Sequence, residues 1–239
     1  LGLLVFFALM TAAITFIAGD QMGPGGSIGS GVDLASPEGL VAGLITGANM
    51  FGIITLSLWA AATASDYSTG WVRVLVQAEP RRWHLYGGKL AALAAYTLVG
   101  MAAAAVVSVA AAPALAGAAG VSTTAWSSGV VDTVLSTWAN VVLSVLAWGV
   151  IGLAVATLTR SATAAIAGGI GYLMVVEGLL GMVFDNGVTT YLPGSALGAV
   201  AAGGTASLAY GSALLLGLAY AVVAILIAGL VFARRDITS

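Results

Sequence analysis

Side chains that could do chemistry are scarce in this sequence. Its 239 residues include seven Lys or Arg, nine Asp or Glu, one histidine (His84) and no cysteine. Without cysteine there is neither a disulfide framework nor a thiolate metal site, and one histidine leaves too few ligands for the usual zinc sites. We therefore expect this chain to bind no metal ion.

Motifs for nucleotide hydrolysis or proteolysis are missing as well. Gly88-Lys89 is followed by Leu90 rather than Ser or Thr, and Trp83 stands where a Walker-type phosphate loop has its first glycine. No HExxH or GxSxG pattern supplies a metal site or a nucleophile. We therefore expect a chain that is not an enzyme and that binds no cofactor itself.

The segment from Ser65 to Lys89 holds four of the seven basic residues. Ser68 or Thr69 is a candidate N-cap for a short helix that Pro80 would end. The apolar positions of this helix recur at three- and four-residue spacing, with Arg73 and Gln77 on the other face: Trp71, Val74, Leu75 and Ala78. The pattern predicts a short amphipathic helix at the membrane surface. The alternative is a basic loop that does no more than enforce topology.

The elements that would position these side chains are apolar segments long enough to cross a bilayer, which takes about 20 residues. The sequence is 60% hydrophobic and 7% charged, whereas a soluble domain is about 25% charged. We predict a single-domain, all-α integral membrane protein with six transmembrane helices, separated by a loop at 65–89 and a segment at 188–208. The predicted spans are residues 1–18, 40–64, 90–115, 134–158, 162–184 and 213–232. Because the chain begins at Leu1 inside an apolar run, we expect a further segment before it.

The charges predict the orientation. With these spans, all basic residues fall on one side, which the positive-inside rule makes the cytoplasm, together with both termini. The opposite connections carry acidic residues and no basic ones. The segment 188–208 lies on that opposite side and is broken by Pro193 and several glycines, so we predict short re-entrant helices that dip into the outer leaflet.

Polar and small residues within the spans leave alternatives open. Glu177 is the ionisable residue well inside a span, and it is either a hydrogen-bonded structural carboxyl or a transport site. Small residues recur at four-residue spacing and predict close helix packing, either within one subunit or between two subunits. These ridges are Ala164/Gly168, Ala165/Gly169 and Ala213/Gly217/Ala221.

The loop at 65–89 resembles the one between the second and third spans of ABC-2 type permeases, the membrane subunits of many bacterial ABC exporters. Their pattern has an acidic residue and a glycine four positions later, then a basic residue, a proline with nearby arginines, and a lysine at the third span. Here these positions are filled by Asp66, Gly70, Arg73, Pro80 with Arg81 and Arg82, and Lys89. One departure is Trp71, where the family usually has Thr or Ser.

This resemblance implies a permease in the cytoplasmic membrane that exports an amphiphilic drug, lipid or peptide. It implies a second permease subunit, separate ATPase subunits that bind ATP and Mg²⁺, surrounding lipid and no nucleic acid. The expected ATPase-coupling residues are Asp66, Gly70, Arg73, Glu79, Arg81, Arg82 and Lys89. The expected pathway residues are Asn49, Phe51, Met174 and Glu177.

Two other functions remain open at this point. An ion-gradient-driven transporter or channel subunit would need no ATPase, and Glu177 would be its natural proton site. The third possibility is a membrane anchor or immunity protein that transports nothing.

Overall fold

The chain is all-helical wherever the structure describes it. The computed structural model describes residues 5, 8–13, 15, 34–79, 81–183 and 187–234, and these ranges contain no strand. The helices are α1 Ala42–Ser68, α2 Trp71–Ala78, α3 Arg82–Ala119, α4 Val130–Thr159, α5 Ala162–Gly171, α6 Gly178–Val183, α7 Pro193–Ala201 and α8 Tyr210–Arg234. A π-helix, Tyr172–Glu177, joins α5 to α6, and 3₁₀ turns occur at Pro37–Val41, Thr124–Ser127 and Val188–Tyr191.

Four of these helical stretches are long and apolar enough to cross a membrane: Arg82–Ala119, Val130–Thr159, Ala162–Val183 and Tyr210–Arg234. A fifth is present if Pro37–Ala48 and Met50–Ser68, which meet at 41°, form one span. The chain is therefore a multi-pass membrane protein. Most residues of the predicted first span, 1–18, lie outside the described set. Residues 8–13, which are described, are helical. The sixth crossing therefore stays a prediction.

The loop predicted at 65–89 is mostly helix. The α3 helix begins at Arg82 rather than at residue 90, and α1 continues to Ser68. Tertiary contacts stabilise the added turns of α3, because the Tyr86 hydroxyl donates to the Ile225 carbonyl at 3.1 Å. A helix gains most of its stability from such packing rather than from propensity, and sequence periodicity does not report it.

The chain divides into two compact units, of which unit one comprises residues 1–50, 98–143 and 201–203. Its core contains Leu40, Ala112, Ala116 and Trp126. The Trp126 indole N–H donates to the Leu34 carbonyl at 2.9 Å. These contacts hold the start of the second predicted span against the end of α3.

Unit two comprises residues 51–97, 144–200 and 204–239, and its centre is a close contact between α1 and α4. A Cβ at Gly149 would lie 2.6 Å from the Trp59 ring, and a Cβ at Gly152 would lie 2.9 Å from the Leu56 carbonyl carbon. Glycine at both places lets the two helix backbones approach. The Trp59 indole N–H donates to Thr97 at 3.1 Å, which also ties α3 to this core.

Two of the three small-residue ridges pack within the chain, and the third does not. On α8, Gly217 faces Leu197 and Val200 of α7, and on α5, Gly169 faces Leu56 of α1. Both ridges therefore pack within the chain. Ala164 and Gly168, by contrast, are exposed, and a Cβ at Gly168 would meet nothing within 4 Å in the described parts.

Candidate functional site

Three segments that carry basic residues meet at one end of unit two. The Arg160 guanidinium, in the turn between α4 and α5, lies over the Tyr67 ring at 5.8 Å. The Arg82 guanidinium donates to the Ala233 carbonyl at 3.2 Å, in the last turn of α8. Together with the Asp66–Lys89 pair, these contacts bring the last turns of α1, the start of α3, the α4–α5 turn and the end of α8 into one neighbourhood, which contains most of the predicted coupling residues.

An ion pair joins the two ends of the predicted loop. The Lys89 ammonium pairs with the Asp66 carboxylate, and it also donates to the Ala62 carbonyl at 2.8 Å. The Lys89 side chain is 24% exposed and that of Asp66 is 32% exposed. Because water screens such a partly buried pair less than a surface pair, it holds the start of α3 against the last turns of α1.

Gly70 makes the turn that sets α2 apart from α1. Its φ is 75°, in the left-handed region that L side chains avoid, and a Cβ there would meet nothing within 4 Å among the described atoms. The requirement for glycine is therefore conformational rather than steric. The predicted cap at Ser68 or Thr69 is wrong, because both hydroxyls donate to the Ser65 carbonyl at the end of α1.

The α2 helix is confirmed at Trp71–Ala78, and its apolar face is wide enough to be partly buried and partly exposed. Val72 is buried against the chain. Trp71 and Val74, from the predicted apolar stripe, are 59% and 54% exposed. Trp71 and Val74 therefore point away from the core of unit two. Arg73 lies within α2, and its side chain is outside the described set.

The residues after α2 turn in different directions. Glu79 accepts a hydrogen bond from the Arg81 backbone N–H at 3.0 Å, across Pro80, which is outside the described residues. The Arg81 side chain is exposed. Arg82 binds a terminal carbonyl of α8, where the helix dipole favours a cation. The predicted coupling residues thus separate into the clamp Asp66–Lys89, the turn at Gly70 and the exposed Arg81.

Of the four predicted pathway residues, Glu177 has the clearest environment. Its carboxylate accepts the Gly194 backbone N–H at 2.7 Å, at the start of α7. A Cβ at Gly194 would lie 2.9 Å from the Glu177 carboxyl carbon, so glycine permits this approach. Phe51 is buried in unit two at 8% exposure. The side chains of Asn49 and Met174 lie outside the described set.

Two tyrosines complete the surroundings of Glu177, and sequence reasoning missed both. The Tyr172 hydroxyl hydrogen-bonds to Glu177. The Tyr220 hydroxyl donates to the Tyr191 carbonyl, just before α7. Residues five apart do not share a face of an α-helix, but the π-helix Tyr172–Glu177 brings its first and last residues together. A tyrosine close to a lone carboxylate in an apolar span was the available signal.

No curated protein and no solved structure is significantly similar to this chain. A family model described as "Protein of unknown function (DUF2705)" matches residues 3–238. Since the match covers nearly the whole sequence, the chain belongs to this family, DUF2705.

Proposed function

We propose that this chain is the permease subunit of an ATP-driven ABC exporter in the cytoplasmic membrane. A second permease subunit and separate ATPase subunits complete the transporter, and ATP and Mg²⁺ bind to the ATPase. The observation that carries the proposal is the mounting of α2. Gly70 joins it to α1, the Asp66–Lys89 pair clamps the helices on either side, and Trp71 and Val74 are left exposed.

A helix attached in this way can transmit movement from a bound partner to the membrane spans. A push on α2 reaches α1 through Gly70 and reaches α3 through the clamp. From α1 it reaches α4, because Gly149 and Gly152 hold those two helices in close contact. Nucleotide-driven closure of the ATPases would thereby be converted into movement of the spans. The cargo, by the same resemblance, is an amphiphilic drug, lipid or peptide.

The exposed surface of α2 also defines the chemistry of the partner. Trp71 and Val74 present an exposed apolar surface, and Arg81, three residues after the end of α2, adds an exposed cation. A complementary ATPase would offer an apolar groove with acidic residues at its rim. Tryptophan and arginine are the residue types that most often dominate such interfaces.

The geometry of α8 supports the topology in this proposal. Gly217 contacts α7, whereas the Ala233 carbonyl binds Arg82. At 1.5 Å per residue these two positions are about 24 Å apart along the helix. The segment 188–208 and the basic end therefore lie near opposite ends of α8. We propose that the basic end faces the cytoplasm and that 3₁₀ turn Val188–Tyr191 and α7 form the re-entrant cap outside.

Glu177 does not favour the ion-gradient alternative. A proton site needs a carboxylate that can release its interactions as it titrates. Glu177 is already engaged by the Gly194 N–H and by Tyr172, which is the arrangement of a structural anchor.

The test is co-expression with an ATPase encoded beside this chain, followed by co-purification and measurement of ATPase stimulation in vesicles. Val74→Asp should abolish both, because a carboxylate cannot enter an apolar groove without a large desolvation cost. Val131→Asp is the control, since Val131 is 71% exposed, lies beside Asp132 in the first turn of α4 and falls outside the predicted spans. It should retain both properties. Co-purification and stimulation unchanged in Val74→Asp would contradict the proposed docking helix.

A further inference from the structure

A cavity of about 350 Å³ lies in unit two, next to the clamp. Its walls come from α1, α2, α3, α4 and α8, and most of them are apolar, including Leu75 of α2, Leu153 of α4 and Phe232 of α8. Ligand pockets begin at about 300 Å³, and an engineered apolar cavity of about 150 Å³ holds one benzene ring. The space therefore suits a molecule of about two rings.

One polar group in the wall has an unmet hydrogen bond. Thr63, on α1, is 4% exposed, and its hydroxyl has no hydrogen-bond partner among the described residues. Thr157, also in the wall, shows the usual arrangement, because its hydroxyl donates to the Leu153 carbonyl at 2.8 Å. A buried hydroxyl without a partner is costly. Thr63 lines the cavity, and rotation about its χ1 angle would turn the hydroxyl towards a ligand that supplies the missing partner.

The charged groups in the wall would not stabilise a charged ligand. Asp66 and Lys89 both line the cavity, and they neutralise each other. An ion placed between apolar walls would lose its hydration without gaining a counter-ion.

We propose that this cavity binds a small neutral amphiphile, with an apolar body of about two rings and one hydroxyl or carbonyl group that pairs with Thr63. Val72 and Leu75 of α2 form part of the wall, so the bound molecule would hold α2 against α1 and α3. An effect of the ligand on ATPase coupling rests on the proposed function, whereas binding itself does not.

The experiment compares 2-naphthol with naphthalene, which differ by one hydroxyl. Each is titrated by equilibrium dialysis against nanodiscs that contain the protein, with empty nanodiscs of the same lipid subtracted. We expect saturable binding of both probes to the wild type. Thr63→Val keeps the side-chain shape but removes the hydroxyl. It should weaken the binding of 2-naphthol by roughly 2- to 10-fold and leave the binding of naphthalene unchanged.

A second pair of variants tests the location. Leu75→Trp should fill the cavity and abolish saturable binding of both probes, and Leu58→Trp should not, although both leucines are 40% exposed. Partial exposure lets each site take the larger side chain. Binding to the wild type no greater than to empty nanodiscs would overturn the proposal, as would equal 2-naphthol affinity in Thr63→Val. Because no ATPase is present, saturable binding in a chain that fails the docking test would uphold this cavity and reject only the exporter.

Discussion

Lys89 pairs with Asp66 across the whole length of the segment that the sequence singled out. The same ammonium donates to the Ala62 carbonyl at 2.8 Å, so the first turns of α3 are fastened to the last turns of α1 at two points. The lysine is the shared member of both contacts. Replacing Lys89 therefore removes two contacts, whereas replacing Asp66 removes one, and the two variants should differ in stability.

Lys89→Met should destabilise the protein more than Asp66→Asn. The lysine change leaves a partly buried carboxylate without its cation, at a cost of about 1–3 kcal/mol. The asparagine change leaves Lys89 its carbonyl partner. In a double-mutant cycle followed by thermal unfolding in detergent, the coupling energy should be about 0.5–3 kcal/mol. Purely additive effects would mean that the pair contributes nothing to folding.

Glu177→Gln should retain transport and stability, because the amide oxygen can still accept the Gly194 N–H. Glu177→Leu leaves that N–H without an acceptor and should cost about 1–3 kcal/mol. Gly194→Ala should resemble the leucine variant, since its Cβ would displace the carboxylate. Gly181→Ala is the control, because a Cβ there meets nothing within 4 Å among the described atoms. Transport in vesicles with the ATPase and thermal unfolding are the measurements. A folded but inactive Glu177→Gln would make Glu177 a charge-dependent site.

Gly168→Leu should disrupt pairing of two permease subunits and leave the subunit folded. Gly168 is exposed and uncontacted in the described chain, whereas a Cβ at its neighbour Gly169 would lie 2.7 Å from Leu56. Gly169→Leu should therefore lower the unfolding temperature instead. Native mass spectrometry gives the subunit number of each variant. A stable dimer in Gly168→Leu would place the subunit interface elsewhere.

Ser195→Cys should react from outside with a membrane-impermeant thiol reagent, and Ser68→Cys should react from the cytoplasm. Both serines are exposed, in α7 and at the end of α1 respectively. The sequence contains no cysteine, so each variant carries a single thiol. The measurement is labelling of intact cells against inverted vesicles. Labelling of Ser195→Cys from the cytoplasm alone would reverse the proposed topology.

Much of the fold follows from the sequence by itself. Long apolar runs determine the helices, because a chain in lipid must satisfy its own backbone hydrogen bonds. The short helix at Trp71–Ala78 follows from local periodicity, although Gly70 begins it and not the predicted cap at Ser68 or Thr69. The cytoplasmic location of the basic residues is also inferred from the sequence, and the cysteine labelling will test it.

The tertiary structure decided what contacts what. The sequence contains Asp66 and Lys89, but their pairing depends on how α1 and α3 pack. It contains Glu177 and Gly194, yet their hydrogen bond depends on how the start of α7 packs beside the span that carries Glu177. These relationships join residues far apart in the chain or out of α-helical register, and local periodicity carries no information about such distances.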